Sequence, residues 1–486
     1  MSDISSNVSS ARSTSDTVSP ELTSLTISEL SEYIRAGRIT PSQITRACLD
    51  RILALDSKLN AFITLMAEQA LAQARVLDSE AAQGKFRSPL HGIPIALKDA
   101  IDTAGVLTTG GSALLKDRIP QEDAHVVTRL KAAGAIVLGK TNLQEFGMGG
   151  LSATSHCGDV HNPWNLEMKP GGSSSGSAAA VAADFCPGAL GTDTGGSMRI
   201  PAAYCGVVGL KPTYGLVSKR GVLPTIPSLD VCGPMGRTAK DVALILGEIA
   251  GYDRLDVASE NHAREDYLAQ LGRPMNSFSL GIAPDLYFED MDAEVGQQIS
   301  RFLSELASCG VTVKKIEMPS YDGLAANDMM DEYHVFHRGY FPAQANLYTD
   351  RVREDLDWSL RYLNDGQSNQ CNEKVADYIE WKRNLELARR VAGDIFIGID
   401  GIIMPTVRVM PPRLDTLYSD YKTINQNCFL ANLLGFPAIS FPCGFASSGL
   451  PVGVMVMGNH FQEAKLLALV HAYEQMAGRP ERKPIL

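Results

Sequence analysis

Apolar and polar positions near the start of the chain repeat with the period of an amphipathic helix. Thr26 and Glu29 have the spacing of a capping box and precede apolar residues at helical spacing. Thr40 and Gln43 repeat this arrangement, with a proline at the first helical position. An alanine-rich stretch over residues 66–83 predicts a third helix. The beginning of the folded chain is therefore predicted to be helical.

From residue 93 onward, short apolar runs alternate with helical patterns. The predicted strands lie at residues 93–97, 136–138, 280–283, 311–316, 401–404, 438–441 and 452–457, and residues 189–190 form a brief apolar segment before a glycine-rich turn. The predicted helices lie at residues 124–133 and 177–183, from 238 to near 251, directly before Cys309, and in a final segment that ends near Met476. This alternation predicts an α/β fold with a large mixed, mostly parallel central sheet that helices cover on both faces.

Residues 320–395 interrupt the alternation. They are polar, aromatic and rich in helical pattern, and they show no convincing strand. We expect a helical insertion over an edge of the sheet, which would act as a lid or face the substrate. Its aromatic and histidine residues are His334, Phe336, His337, Tyr340, Phe341, Tyr348 and Trp358. Packing of helices onto the sheet is the simpler interpretation, and the floor of an aromatic pocket is the alternative.

Composition places the chain among folded globular proteins. It has 486 residues, of which 45% are apolar, and a formal net charge of −11. No run approaches the roughly 18 uninterrupted apolar residues that a membrane-spanning helix needs. The acidic balance argues mildly against a dedicated nucleic-acid binder, which would carry a basic patch. We expect neither a membrane nor a nucleic acid as a partner.

The N-terminus and the cysteines indicate a cytoplasmic protein. Residues 1–22 are rich in Ser and Thr and contain no apolar signal-peptide core, so they predict a disordered tail. Nine cysteines are scattered without a C-x-x-C pair, which is typical of reduced, buried thiols. The remaining residues, 23–486, are predicted to form a single domain that carries the insertion.

Candidate chemistry concentrates in residues 170–201, which contain seven glycines. The stretch matches neither a Walker A loop nor the dinucleotide motif G-x-G-x-x-G. Its G-x-S-x-G segment, centred on Ser174, lacks the preceding strand that a nucleophile elbow requires. The later GTDTGGS segment fits acyl transfer better, because its glycines allow successive N–H groups to point into one concavity beside Ser197.

A serine nucleophile needs a base, and Lys98 is the better candidate. Lys98 ends an apolar strand, so burial would lower its pKa and allow it to take the proton of a serine hydroxyl. The alternative that the residues alone leave open is a lysine that reaches solvent from the strand end. His334 and His337 could share a helix face, but two histidines without a third ligand indicate packing rather than a metal site. We expect no metal and no cofactor.

Several long motifs, in order, show a resemblance that covers nearly all of the chain after residue 23. The motifs are HGIPIALKD (91–99), GKTNLQEFGMG (139–149), PGGSSSGSAAAVAA (170–183), GTDTGGSMRIPAAYCGVVGLKPTYG (191–215), SLDVCGPMGRT (228–238) and NLLGFPAISFPCG (432–444). The chain is identified as a member of the amidase signature family. The resemblance implies the family's α/β fold and an acyl-enzyme mechanism without a cofactor.

The resemblance also implies residue roles. Ser197 occupies the position of the nucleophile, Lys98 that of the base and Ser173 that of the bridging serine, which the family holds in a cis peptide bond. The implied oxyanion hole consists of the backbone amides of Thr194, Gly195, Gly196 and Ser197. The stretch Met148, Gly149, Gly150 and Leu151 corresponds to one wall of the acyl pocket. Asp193 and Arg199 correspond to residues that brace the loop, and Ser175 stands where the family commonly has glycine.

The family includes free hydrolases and the A subunit of tRNA-dependent amidotransferases. In the latter, an Arg-Arg and Leu-Gly-Thr-Tyr stretch and an aspartate near the N-L-x-G segment hold glutamine. This chain lacks that stretch and has Asn425 in place of the aspartate. We therefore expect a free hydrolase, an aryl acylamidase or urethanase-like member that cleaves a linear amide, anilide, carbamate or ester. We expect it to act on a small molecule as a monomer or homodimer. The alternative is the A subunit of an amidotransferase.

Overall fold

The computed structural model of the chain describes residues 22–149, 155–321, 324, 329–364, 370–416, 421–478, 482–484 and 486. The predicted tail, residues 1–22, lies outside this range apart from Leu22. That residue begins a short 3-10 helix, Leu22–Ser24. The disorder prediction for the tail therefore stays a prediction.

Helices and strands alternate through most of the described chain. The helices are α1 (Ile27–Arg35), α2 (Pro41–Leu59), α3 (Ala67–Ala82), α4 (His125–Ala133), α5 (Ser175–Ala182), α6 (Arg199–Cys205), α7 (Ala239–Ile249), α8 (Pro284–Tyr287), α9 (Ala293–Ser308), α10 (Met329–His337), α11 (Asp350–Asn364), α12 (Gln370–Val391), α13 (Tyr421–Leu433) and α14 (Glu463–Ala477). The strands are β1 (Phe62–Leu65), β2 (Pro94–Lys98), β3 (Ile136–Thr141), β4 (Gly188–Asp193), β5 (Val208–Lys211), β6 (Val231–Gly236), β7 (Ser279–Ile282), β8 (Thr312–Lys315), β9 (Gly401–Pro405), β10 (Ala438–Phe445) and β11 (Pro451–Met457).

The strands form one mixed sheet in the order β1-β3-β2-β4-β6-β5-β10-β11-β9-β7-β8. Strand β2 pairs in parallel with β3 and β4, and β7 pairs in parallel with β8 and β9. The remaining pairings among the described strands are antiparallel; β1 and β3 form one of them at an edge of the sheet, and the others run through its middle. The predicted α/β fold with a large mixed sheet is confirmed, although antiparallel pairings outnumber parallel ones.

The two predicted capping boxes are present. Thr26 accepts from the backbone N–H of Glu29, whose carboxylate accepts from the Thr26 N–H in return. Thr40 and Gln43 make the same reciprocal pair at the start of α2. Because each box satisfies two backbone donors that a helix start leaves unpaired, both helices begin where the sequence predicts.

Strands β1, β5 and β6 and helices α6, α8 and α13 are absent from the sequence prediction. The sequence of β6, VCGPMG, contains two glycines and a proline, which are uncommon in strands. Helix α6 has only seven residues and contains Pro201. Both elements are almost completely buried, so packing against neighbours outweighs their weak local preference.

Alternate side chains of the strands enter two separate apolar cores. In β9, Ile402 and Met404 belong to one buried cluster, and Ile403 belongs to the other. This alternation places one core on each face of the sheet, as expected for helices on both sides.

The region between β8 and β9 is helical. Helices α10, α11 and α12 lie within residues 320–395, and the described residues of that range contain no strand. None of the helices built from described residues is long and apolar enough to cross a membrane.

The site lies where two neighbouring parallel strands end. Strand β2 ends at Lys98 and β4 ends at Asp193, with Leu97 paired to Leu190 in register. The carboxyl ends of parallel neighbours meet at the same edge of a sheet. This topology brings Lys98 to the loop that follows β4 and carries Ser197.

Candidate active site

Lys98 is fully buried at the end of β2. Its ammonium nitrogen Nζ lies 2.8 Å from Ser173 Oγ and 2.6 Å from Thr192 Oγ1. The alternative in which the lysine reaches solvent from the strand end is therefore wrong. Thr192 lies on β4, next to the strand that carries the lysine, and no motif or spacing in the sequence indicates its contact with Lys98.

Burial gives Lys98 the proton affinity of a base that works near neutral pH. The loss of hydration lowers the pKa of its ammonium group to about 7, while the carboxylates of Asp193 and Asp230 oppose the shift. At pH 7 a substantial fraction of the side chain is consequently neutral and able to accept a proton from a hydroxyl.

Ser173 and Ser197 lie on two loops that contact each other. The Gly172–Ser173 peptide bond is cis. The backbone N–H of Ser174 donates to the carbonyl of Ser197 at 3.0 Å, and the hydroxyl of Ser174 donates to the Thr192 carbonyl. The structure thus brings the loops of all three predicted catalytic residues together, and Ser197 keeps 5% of its surface exposed.

The catalytic loop, residues 193–199, is braced by a buried ion pair. The Asp193 carboxylate accepts from Arg199, from the Gly196 N–H at 2.8 Å and from the Met198 N–H at 3.1 Å. Burial alone would raise the pKa of Asp193, but the Arg199 guanidinium and these hydrogen bonds bring it below its ordinary value. Asn432 of α13 donates to Asp193 and accepts from Arg199. Asp193 and Arg199 therefore hold the loop, as the resemblance implies.

The four predicted oxyanion donors differ in their availability. The Gly196 N–H is committed to Asp193. Among the described residues, the N–H groups of Thr194, Gly195 and Ser197 have no hydrogen-bond partner. Gly196 has φ +122°, and a Cβ there would lie 2.7 Å from Cys428 Cβ, so only glycine fits at this turn. The geometry thus leaves Thr194, Gly195 and Ser197 free to donate, while Gly196 shapes the loop.

One wall of the site is formed by the stretch around Phe146. A Cβ on Gly147 would lie 3.6 Å from Ser173 Oγ, which places this backbone beside the bridging serine. Of the four residues predicted to line the acyl pocket, Met148 and Gly149 follow directly along the chain. The other two, Gly150 and Leu151, lie outside the described residues.

The helical insertion contacts this wall through aromatic side chains. The Phe146 ring lies 4.7 Å from the His337 ring, 5.7 Å from Phe336 and 5.8 Å from Tyr348. His337 and Tyr348 are buried, so this part of the predicted aromatic set packs the insertion onto the catalytic core. His334 is half-buried, and the side chain of Trp358 lies outside the described residues.

A groove of about 1040 Å³ lies beside α13, two of whose side chains approach Gly195 of the catalytic loop. Its lining includes Asn425 and Phe429 of α13, and a Cβ on Gly195 would lie 3.7 Å from Asn425 Nδ2 and 3.3 Å from the Phe429 ring. The remaining lining is largely apolar, with Asp285 and Glu317 among the polar residues. The groove therefore offers a substrate an apolar surface with a polar amide beside the loop.

Asp230 was missed as a site residue, although it lies within the SLDVCGPMGRT motif. Its carboxylate accepts from the Thr194 hydroxyl at 2.6 Å. An acidic residue in a motif shared with the family was the available signal, but its partner Thr194 lies 36 residues away in the chain.

Comparisons with known proteins agree with this architecture. A model of the protein family described as Amidase matches residues 43–467. The A subunit of the glutamyl-tRNA(Gln) amidotransferase from Syntrophus aciditrophicus is 38% identical over 96% of this chain and all of that protein. The solved structure of the corresponding protein from Thermotoga maritima has a TM-score of 0.76 and 30% identity, and covers 96% of this chain and 97% of that chain. A peptide amidase from Stenotrophomonas maltophilia has a TM-score of 0.78 and 32% identity, and covers 95% of this chain and 98% of that chain.

These relatives overturn the expectation of a free hydrolase that cleaves a linear amide, anilide, carbamate or ester. Proteins that match nearly the whole chain at 38% identity are A subunits of glutamyl-tRNA(Gln) amidotransferases. The prediction rested on the missing charge at Asn425 and on the absence of the Arg-Arg and Leu-Gly-Thr-Tyr stretch. Asn425 still places a polar amide beside Gly195, so the loss of that charge does not remove a polar contact at the loop.

The same relatives overturn the expectation about partners. We expected a monomer or homodimer that acts on a small molecule without nucleic acid, whereas the relatives are subunits of enzymes named for a tRNA. Net charge was a poor guide here, because it reports neither the local distribution of charge nor which member of an assembly contacts RNA.

Proposed function

Because this chain belongs to the amidase family, we propose that it is the A subunit of a tRNA-dependent amidotransferase and releases ammonia from the side-chain amide of glutamine. The proposal that the chain is an A subunit is supported by its similarity, over almost its whole length, to A subunits of glutamyl-tRNA(Gln) amidotransferases. The chemistry rests on one observation, the contact of buried Lys98 with Ser173 beside the loop of Ser197.

The first half of the proposed reaction forms an acyl-enzyme. Neutral Lys98 accepts a proton through the Ser173 hydroxyl, and Ser197 Oγ attacks the carbonyl carbon of the amide. Free N–H groups of Gly195 and Ser197 donate to the resulting oxyanion. Ser173 then returns the proton to the leaving nitrogen, the C–N bond breaks, and ammonia departs.

The second half regenerates the enzyme. A water molecule takes the place of ammonia and gives its proton through Ser173 to Lys98 as it attacks the ester of Ser197. The C–O bond to Ser197 then breaks and the serine recovers a proton, so that glutamate and free enzyme result. Each half uses the same three side chains, which is why a base with a pKa near 7 suits both proton transfers.

We place the amide donor in the groove beside α13. Asn425 approaches Gly195 there, so its amide oxygen can accept from the ammonium group of the donor and its N–H groups can donate to the carboxylate. The apolar part of the groove, including Phe429, would contact the methylene carbons of the donor.

The proposal is tested by measuring ammonia released from glutamine. The purified chain is assayed alone and after co-purification with the remaining subunits of a glutamyl-tRNA(Gln) amidotransferase. We expect slow release by the lone chain and a faster rate in the assembly. Equal rates in both states would contradict the proposed place in an amidotransferase, and no release in either state would contradict the glutamine assignment.

Matched serine variants connect the activity to the site. We expect Ser197→Ala to reduce ammonia release by about 10⁴-fold or more, because the nucleophile is lost. Ser79→Ala changes an exposed serine that bonds only to a backbone carbonyl of its own helix, and it should leave the rate unchanged. A Ser197→Ala protein with the wild-type rate would exclude the acyl-enzyme mechanism.

A further inference from the structure

A short loop, residues 225–230, connects the catalytic loop to the helical insertion. On one side, Asp230 accepts from the hydroxyl of Thr194 at 2.6 Å. On the other side, Ser228 bonds to Glu332 of α10. Thr194 directly precedes Gly195, whose N–H is free to donate to an oxyanion. The 225–230 loop therefore lies between the oxyanion donors and the insertion.

The Asp230 carboxylate is held in one orientation. Its Oδ1 accepts from Thr194 and from the Ile226 N–H at 3.0 Å, and its Oδ2 accepts from the Thr225 N–H at 2.9 Å. Only 8% of the residue is exposed. Charge-assisted hydrogen bonds of this kind are roughly twice as strong as neutral ones and fix the position of the donors.

Glu332 makes a second set of contacts from the insertion. Its Oε2 accepts from the Ser228 N–H at 2.7 Å, and its Oε1 accepts from the Ser228 hydroxyl and from Tyr378 of α12 at 2.7 Å. Lys382, also on α12, donates to the Ser228 hydroxyl and lies 3.8 Å from the same carboxylate. Two helices of the insertion thus converge on one residue of the 225–230 loop.

We propose that Asp230 and Glu332 are positioning residues for the reaction: Asp230 orients the catalytic loop through Thr194, and Glu332 holds the 225–230 loop in place from the insertion. The inference rests on the proposed roles of Lys98 and Ser197. It assigns the insertion a part in catalysis besides any contact with substrate.

Asp230 also contributes to the electrostatics around the base. The ionisable groups that face Lys98 are Asp193 at the end of β4, Asp230 before β6, and the thiol of Cys232 on β6. Both carboxylates favour the charged lysine and so raise its pKa against the effect of burial. Removing the charge of Asp230 should consequently lower the pKa of Lys98 further.

The test measures labelling of Ser197 by a fluorophosphonate as a function of pH. In this reaction a bond forms between Ser197 Oγ and phosphorus, fluoride leaves, and the serine proton passes to the base. The assay needs no amide donor, so it remains informative if glutamine is not the substrate. Loss of labelling in Ser197→Ala is checked first, because continued labelling there would refute the proposed function rather than this inference.

For Asp230→Asn we expect the labelling rate to fall by about tenfold or more. The new amide directs N–H groups at the Thr225 N–H and so releases the loop. We also expect the acidic limb of the pH profile to move down by about half a pH unit or more. A purely structural role would lower stability without moving that limb. An unchanged rate and limb would overturn the inference.

Asp253→Asn is the matched control. Asp253 is another buried carboxylate that accepts from a serine, an arginine and a backbone N–H, but it is not among the groups that act on Lys98. The Asp253→Asn protein should be less stable, and the acidic limb of its pH profile should not move.

A second variant applies if Asp230→Asn does not fold. Thr194→Val removes only the hydroxyl donor, so it should slow labelling without moving the acidic limb. A wild-type rate in Thr194→Val would then refute the role of Asp230.

Glu332→Gln tests the contribution of the insertion. The variant keeps the size of the side chain but directs an amide group at the donors of Ser228 and Tyr378. We expect slower labelling of about threefold or more with the limb unmoved. A rate equal to that of wild type would limit the positioning role to Asp230 and overturn the part assigned to the insertion.

Discussion

Lys98 has no exposed surface, and its nitrogen contacts two hydroxyl groups. An ammonium group in such a position loses most of its hydration, and two hydroxyls replace only part of it. The two nearby carboxylates prevent a larger shift, so the pKa of the group settles at about 7. The chemistry of this one residue therefore results from a balance between burial and two negative charges.

This balance predicts how activity depends on pH. Because only neutral Lys98 accepts a proton, kcat/KM for ammonia release should rise about tenfold per pH unit below pH 7 and level off above it. The measurement is a pH–rate profile of the wild-type protein, with folding checked at each pH. An acidic limb near the ordinary lysine value of about 10.5 would show that burial does not activate Lys98.

At the scale of elements, one buried carboxylate attaches the insertion to the core. Glu145, in the loop after β3, accepts from Ser112 and from both the N–H and the hydroxyl of Thr349. Thr349 directly precedes α11. Burial raises the pKa of the Glu145 carboxyl, although the bonds from Ser112 and Thr349 oppose this. The attachment of the insertion thus depends on an acceptor that has little access to water.

Glu145→Gln is expected to destabilise the protein by about 1–3 kcal/mol. The amide group of glutamine can satisfy only part of a set of donors that all point toward a carboxylate. The measurement is the free energy of unfolding from urea titration. As a control, Glu167→Gln removes an exposed carboxylate paired with Arg413 and should change stability by less than about 0.5 kcal/mol. Equal effects of the two variants would argue against a special role for Glu145.

At the scale of the whole molecule, segments far apart in the chain meet behind the catalytic loop. Asn432 is 239 residues from Asp193 in sequence, yet its Nδ2 donates to both the carbonyl and the carboxylate of that residue. Its Oδ1 accepts from Arg199. All three residues are buried, so the catalytic loop is held partly by the C-terminal third of the chain.

Asn432→Ala should weaken both stability and activity. The change removes the hydrogen bonds that Asn432 makes with buried Asp193 and Arg199, which costs about 1–3 kcal/mol of unfolding free energy. Because the loop carries Ser197, kcat should fall more than KM rises. Urea unfolding and ammonia release measure the two effects. The control Asn276→Ala alters an exposed asparagine and should affect neither. If the variant were less stable but kept the wild-type kcat, the contacts of Asn432 with the catalytic loop would contribute to stability and not to catalysis.

Local sequence determined several parts of this protein without help from the fold. The capping boxes at Thr26 and Thr40 start their helices as predicted, because each box depends on residues only three positions apart. The alternation of strands and helices, and the resemblance carried by long motifs, likewise predicted an α/β fold and the amidase family. Such signals are complete within short segments, so they can be read from the chain directly.

Only the tertiary structure decided how the site is assembled. Sequence alone left open whether Lys98 is buried or reaches solvent, and it gave Gly196 the same role as its neighbours. The complete burial of Lys98 at the end of β2 settled the first question, and the carboxylate of Asp193 settled the second. Contacts such as Asp230 with Thr194 and Glu332 with Ser228 join segments that are distant in the chain. No local pattern encodes those pairings, because they form only when the sheet and the insertion pack together.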